Sequence, residues 1–95
     1  MYLVREVFQT KPGRAKDLVK ILKAAGKVME GMGKTKIMTD AVYNYWTVVL
    51  EMEVESLAVW EKMAGSTQKP EVREIMKDYM TLLEGGHREI FKIEE

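Results

Sequence analysis

Three carboxylates occupy alternate positions in the middle of the chain, at Glu51, Glu53 and Glu55. Alternate residues of a strand share one face, so these side chains would lie about 7 Å apart at each step. One of them could act as a general base if a cavity favoured its protonated form, but the spacing is too wide to share a metal ion without further ligands, and no metal site is expected. The simpler interpretation is a charged rim that meets water and basic side chains of neighbouring strands. The basic residues available there are Arg5, Arg88 and Lys92.

The single histidine, His87, follows two glycines near the end of the chain. Histidine side chains titrate near neutral pH and often serve as general bases. No serine or aspartate spacing indicates a catalytic triad, and one histidine without cysteine does not make a zinc site. A structural or exposed position is the simpler interpretation of His87. The catalytic residues stay unknown, with His87 and Tyr79 as the candidates for moving a proton.

Aromatic and methionine side chains could line a pocket for an apolar or aromatic molecule. Trp46 shares its predicted strand face with Val48 and Leu50, which favours packing in the core over ligand binding. Methionines at helical spacing also fill gaps in cores, although their flexible thioethers suit adaptable pockets as well. The candidate ligand-binding residues are Trp46, Trp60, Tyr79 and Met76.

Composition limits the classes of function. The 95 residues include 15 Lys and Arg against 15 Asp and Glu. A net charge of zero argues against binding to nucleic acid and gives no basis for attachment to a membrane through basic clusters. The sequence has no cysteine, which excludes disulfides and thiolate chemistry, and nothing in it calls for a cofactor. No apolar stretch is long enough to span a bilayer and the N-terminus lacks a signal-peptide pattern, so a cytoplasmic protein is expected.

Hydrophobic periodicity predicts a strand followed by a helix in the first third of the chain. Residues 2–10 are rich in strand-forming types, and Lys11-Pro12-Gly13 ends the strand. From Arg14 onwards, apolar residues recur at spacings of three and four, which predicts a helix that ends by Gly31-Met32-Gly33. Two sets of apolar residues compete for the buried face of the strand: Tyr2, Val4 and Phe8, or Leu3 and Val7.

Two further strands are predicted in the middle of the chain. Residues 35–41 form the shorter one, and residues 42–44 provide a hairpin connection. Residues 45–55 then alternate between apolar and polar types, which is typical of a strand with one buried face. The residues on that buried face are predicted to be Trp46, Val48, Leu50, Met52 and Val54.

The last third of the sequence predicts a divided helix and a final strand. Ser56 is suited to cap a short helix, and Pro70 to open a second one whose apolar stripe extends to Leu83. Gly85-Gly86 are predicted to stop that helix, and residues 87–93 to form the last strand.

The resulting order is β-α-β-β-α-β, with the second helix broken in two. This order predicts an α+β fold of the ferredoxin-like type, with a four-stranded antiparallel sheet and helices on one of its faces. We expect a single domain over residues 1–95. The other sheet face would be left bare, and monomers rarely expose so large a patch. Pairing of two copies through their sheet faces would cover it, which predicts a homodimer.

Three segments resemble the dimeric α/β-barrel superfamily: KPG after the first strand, YWTVVLEMEVESLAVWEK in the middle, and EGGHREIFKIEE at the end. The likeness extends over nearly the whole chain and is greatest to small proteins grouped with the NIPSNAP and antibiotic-biosynthesis-monooxygenase families. It implies a homodimer in which two sheets pack face to face to close a barrel. Some members of the superfamily degrade haem, but Asn44, Trp46 and His87 do not match the order of the residues that do so there.

The resemblance implies a small-molecule-binding protein whose ligand is apolar or aromatic. It leaves two alternatives open. One is a cofactor-independent monooxygenase that acts on an electron-rich aromatic substrate, for which His87 or Tyr79 would handle the proton. The other is a non-catalytic dimerisation module without a cleft for a ligand.

Overall fold

The computed structural model describes residues 1–29, 34–65 and 69–94 of the chain. Within these ranges, four strands and three helices follow one another in the order β1, α1, β2, β3, α2, α3 and β4, and a 3-10 turn, Tyr79–Leu82, precedes the last strand. The strands are β1 (Tyr2–Thr10), β2 (Thr35–Thr39), β3 (Thr47–Val54) and β4 (Leu83–Lys92), and the helices are α1 (Ala15–Val28), α2 (Leu57–Gly65) and α3 (Pro70–Met76).

The strands form one antiparallel sheet in the order β2-β3-β1-β4. This is the ferredoxin-like arrangement, so the predicted α+β class is confirmed, as is the division of the second helical region into α2 and α3. β1 and β3 occupy the centre of the sheet, and β2 and β4 form its edges. None of the helices within the described ranges has both the length and the apolar character needed to cross a membrane.

The turn after β1 positions α1 as the sequence predicts. Gly13 adopts φ = 79°, a backbone conformation that glycine takes at little cost, and the amide of Arg14 donates a hydrogen bond to the carbonyl of Lys11. The buried side of α1 consists of small and branched apolar residues: Ala15, Leu18, Leu22 and Ala25. The predicted end of this helix at residues 31–33 lies outside the described residues.

The buried face of β1 carries the even-numbered residues. Val4 is fully buried and packs with Met52 of β3, while Phe8 packs against the cluster formed by Leu18 and Val48. The helices therefore cover the face that includes Tyr2, and the opposite face, with Leu3 and Val7, is free of helices. The structure decides between the two faces that the sequence left open.

The start of β3 corrects one prediction. Trp46 lies in the turn before the strand, at φ = 65°, and 42% of its surface is exposed. Its carbonyl accepts hydrogen bonds from both the amide and the hydroxyl of the fully buried Thr10. The predicted place of Trp46 on the buried strand face is wrong, because β3 begins only at Thr47. β2 likewise ends at Thr39, short of the predicted Ala41.

The start of β4 corrects a second prediction. Gly85 and Gly86 lie inside the strand, and the helical region ends earlier, with α3 at Met76 and the 3-10 turn at Leu82. Gly86 faces the backbone of β1 so closely that a Cβ atom would lie 2.5 Å from the carbonyl oxygen of Val7. Gly86 therefore permits close strand pairing, and neither glycine stops a helix.

Polar side chains form contacts at the ends of two helices. Lys77 Nζ donates to Glu74 Oε1 over 2.8 Å, and this hydrogen bond with the carboxylate raises the pKa of Lys77. Ser56 Oγ accepts a hydrogen bond from the amide of Val59 at the start of α2. Ser56 is thus the cap that the sequence predicted.

Replacing Ser56 by alanine should lower the free energy of unfolding by about 1 kcal/mol, because one amide at the start of α2 loses its acceptor. Ser56→Asp keeps an acceptor at the same place and should retain most of the stability. Urea denaturation followed by circular dichroism measures both variants. Equal stability of Ser56→Ala and the wild type would show that this cap contributes nothing.

Candidate functional site

A cleft of about 200 Å³ lies between the sheet and the helices. The central strands β1 and β3 form its floor, and α1, α2 and α3 form its walls. Most of its surface is apolar, because the covered faces of all these elements meet here. The apolar residues that define its shape are Phe8, Leu22, Leu50, Trp60, Met76 and Tyr79.

One ion pair enters this apolar surface. Glu6 and Arg88 are direct cross-strand partners on β1 and β4, and Arg88 Nε donates a hydrogen bond to Glu6 Oε1. The guanidinium carbon of Arg88 also lies 4.9 Å from the centre of the Trp60 ring, in a cation–π contact. The Glu6 side chain is 18% exposed and that of Arg88 is 51% exposed. The carboxylate is therefore the more buried of the two charges, and the cation lies towards solvent at the mouth of the cleft.

This pair was not predicted from the sequence. Glu6 interrupts the series Tyr2, Val4 and Phe8 on the buried side of β1, and a single charge in such a series is a signal that could have been noticed. Its partner is 82 residues away, and only the pairing of β1 with β4 brings the two together. Charged groups in an otherwise apolar concavity often fix the orientation of a ligand.

The structure brings together three of the four candidate ligand-binding residues. Trp60, Met76 and Tyr79 all line the cleft, although they belong to α2, α3 and the 3-10 turn. Trp46 lies apart from them, in the turn before β3. The segment around Trp46 exposes further large side chains, Val42, Tyr43 and Tyr45.

His87 does not reach the cleft. It alternates with Arg88 along β4 and so points to the face without helices, where its Nε2 lies 3.2 Å from Glu89 Oε2. His87 and Tyr79 do share an open groove of about 450 Å³ along the outer edge of β4, to which Gly85 also contributes. The two candidates for moving a proton therefore line a common surface at this open edge and not in the cleft.

The sheet face without helices carries a charged row at its centre. Arg5 of β1 lies between Glu51 of β3 and Glu89 of β4. Its Nη1 is 3.2 Å from Glu89 Oε1 and its Nε is 3.4 Å from Glu51 Oε2. The second contact is an ion pair without hydrogen-bond alignment, since the buried Nε has no hydrogen-bond acceptor among the described residues. Arg5 is thus the partner of Glu51 that the sequence suggested, whereas Arg88 lies on the opposite face.

Rows that are mainly apolar flank this charged row on both sides, with Glu53 opposite Leu3 in one and His87 opposite Val7 in the other. Leu3 pairs with Phe91 on one side, and Val7 pairs with Val49 on the other, next to Met38 of β2. Half of the Phe91 surface is exposed. A groove of about 350 Å³ crosses this face. Among the described residues, no group of three histidine, aspartate or glutamate side chains could hold a metal ion.

Comparisons with known proteins find the same fold. No protein-family model matches the sequence, and no curated protein matches it. A NIPSNAP family protein of unknown function from Agrobacterium tumefaciens is 14% identical, with a TM-score of 0.85 over 98% of this chain and 87% of the other. An uncharacterised NIPSNAP domain protein from Burkholderia xenovorans is 11% identical, with a TM-score of 0.85 over 99% and 95% of the two chains. The chain has the NIPSNAP fold.

A more distant neighbour extends this likeness. A candidate antibiotic biosynthesis monooxygenase from Chloroflexus aurantiacus is 15% identical to the NIPSNAP-like chain, with a TM-score of 0.71 over 99% of it and 94% of the other. The resemblance to NIPSNAP and monooxygenase-like proteins that the sequence suggested is confirmed at the level of the fold. At such low identity the comparison extends to the backbone and not to the site.

Proposed function

We propose that this NIPSNAP-like protein binds a small apolar or aromatic molecule in the cleft between sheet and helices. The observation that supports this most directly is the composition of the cleft, an apolar surface with Trp60 and Tyr79 that includes the ion pair of Glu6 and Arg88. Ligand sites typically combine an apolar lining with a few placed polar groups. Glu6 and Arg88 supply such polar groups in this cleft.

The volume of the cleft limits the size of the ligand. An apolar cavity of about 150 Å³ is large enough to bind benzene. The cleft, at about 200 Å³, therefore suits a molecule with one aromatic ring and a short substituent. Larger ligands would have to extend through the mouth beside Arg88, whose side chain is half exposed.

The proposal includes a homodimer formed through the sheet faces without helices. Support comes from the apolar rows at Leu3 and Val49 and from the half-exposed Phe91, because such a surface is unusual for a monomer. The charged row pairs Arg5 with Glu51 and Glu89, and Lys36 of β2 lies opposite Glu51, so the row has two positive and two negative charges within one copy. It can therefore be covered without leaving an isolated cation.

A second function has one observation in its favour. A cofactor-independent monooxygenase acting on a phenol would need a group that removes a proton from the substrate. Glu6 and Tyr79 line the cleft, whereas His87 does not. Consumption of oxygen in the presence of a phenol that binds the cleft, and its loss in Glu6→Gln, would establish this activity.

Fluorescence can locate the ligand, since the two tryptophans lie inside and outside the cleft. In Trp46→Phe, the remaining tryptophan is Trp60, and adding toluene should change its emission. In Trp60→Phe, the remaining emission comes from Trp46 and should stay constant. Binding at a ligand concentration 100 times Kd should also stabilise the wild type by about 2.7 kcal/mol.

Two results would contradict the proposed function. If no one-ring aromatic probe changes the emission of Trp46→Phe or the melting temperature, the cleft does not bind such molecules, and a dimerisation module is the better description. If Trp60→Phe responds instead, the binding site lies near Trp46 and outside the cleft.

A further inference from the structure

We infer that the ligand carries a carboxylate, which Arg88 binds at the mouth of the cleft while an aromatic ring fills the interior. This inference rests on the proposed function and specifies its ligand class. It depends on three features of Arg88: the nitrogen atoms it leaves free, the contacts that hold it, and its position relative to Glu6.

The guanidinium of Arg88 has a free end. Its Nε is engaged by Glu6, and its two terminal nitrogens have no partner among the residues that the structure describes. These two nitrogens form the planar fork that binds both oxygens of a carboxylate. The side chain is 51% exposed, so the fork can be reached from solvent as well as from the cleft.

The position of the guanidinium is fixed before any ligand binds. Glu6 holds it from one side through the Nε hydrogen bond, and the ring of Trp60 supports it at 4.9 Å. A long side chain that is already ordered loses less conformational freedom on binding. Trp60 also lines the cleft, so the same ring that supports the cation contacts the apolar part of the ligand.

The depths of the two charges favour an anionic ligand over a cationic one. Glu6 is 18% exposed and its carboxylate already pairs with Arg88, whereas Arg88 extends to the mouth. An amine would have to share the Glu6 carboxylate with the guanidinium that already pairs with it, and that cation would repel the amine. A carboxylate at the mouth meets the free donors of Arg88 first. Within the cleft, Glu6 and Arg88 are the charged residues of the described lining.

Two probes of nearly equal shape test the inference: phenylacetate, and its neutral amide phenylacetamide. Calorimetric titration at pH 7.5 compares them on the full-length protein. The wild type should bind phenylacetate at least tenfold more tightly than phenylacetamide. In Arg88→Gln this preference should disappear. The double variant Glu6→Gln/Arg88→Gln, which leaves no unpaired carboxylate, should give the same result if the single variant folds poorly.

Lys92→Gln is the matched control. It removes one positive charge from the same strand and the same face as Arg88, two alternate positions further along and outside the cleft. The preference for phenylacetate should persist in this variant. Its loss in Lys92→Gln as well as in Arg88→Gln would mean that overall charge, and not the guanidinium fork, selects the anion, which overturns the inference.

The remaining outcomes separate the inference from the proposed function. Equal binding of phenylacetate and phenylacetamide to the wild type overturns the inference that the ligand carries a carboxylate. The proposal that the cleft binds an aromatic molecule would remain. Binding of neither probe, together with no response to toluene, overturns the proposed function and the inference with it. A preference for the acid that survives in the double variant places the anion away from Arg88 and also overturns the inference.

Discussion

Gly86→Ala is expected to destabilise the protein by about 2 kcal/mol, as overpacking at a rigid site does. A Cβ atom at position 86 would lie 2.5 Å from the carbonyl oxygen of Val7 and 3.4 Å from Cα of Phe8. Both atoms belong to the backbone of β1, a central strand that is hydrogen-bonded on both sides. The backbone cannot move aside as a side chain would, so the pairing of β1 with β4 must open.

Gly85→Ala is the matched control, one residue earlier in the same strand. A Cβ atom there would meet nothing within 4 Å. Removing a glycine from the unfolded chain can stabilise a protein by about 0.5 kcal/mol where the folded backbone accepts alanine. Urea denaturation of both variants should therefore give shifts of opposite sign. Equal shifts would mean that β4 does not pair with β1 as closely as the structure shows.

Val49→Asp is expected to weaken the proposed homodimer by at least about 100-fold in Kd, the equivalent of about 2.7 kcal/mol. Val49 lies beside Val7 and Met38 on the sheet face without helices. If two such faces pack together, the new carboxylate is buried without a partner, which is costly. Sedimentation velocity over a range of concentrations measures the change.

Val59→Asp controls for the effect of an added charge. Val59 lies on the outside of α2 and is 40% exposed, so the same substitution there should leave the association unchanged. An intact dimer in Val49→Asp would mean that the copies associate through another surface. A monomeric wild type would overturn the dimer, although the cleft, which lies within one copy, would still be available to a ligand.

Local patterns in the sequence were sufficient for most of the fold. The limits of β1 at Tyr2–Thr10 were correct, because a Pro-Gly turn follows directly. The errors arose where a distant contact decides the local structure. Trp46 takes a left-handed backbone conformation that Thr10 holds from another strand, and Gly86 is required by the nearness of Val7. Neither contact can be predicted from the residues next to Trp46 or Gly86 in the sequence.

The candidate site could be anticipated in part. Apolar residues at helical spacing led to Trp60, Met76 and Tyr79, which do line one cleft. Their pattern alone did not separate cleft from core, because both are apolar and both use the same periodicity. The ion pair of Glu6 and Arg88 distinguishes the cleft from a core. It depends on the register of two strands at opposite ends of the chain.

Glu6 and Arg88 are expected to be exchanged for other residues in evolution more often together than singly. Loss of the arginine alone would leave the Glu6 carboxylate, which is 18% exposed, without its partner. Removing one partner of a largely buried pair destabilises a protein. Loss of both in favour of apolar residues costs little and can even stabilise. Chains of this fold should therefore divide into two groups, those with both charges and an open cleft, and those with neither and a solid core.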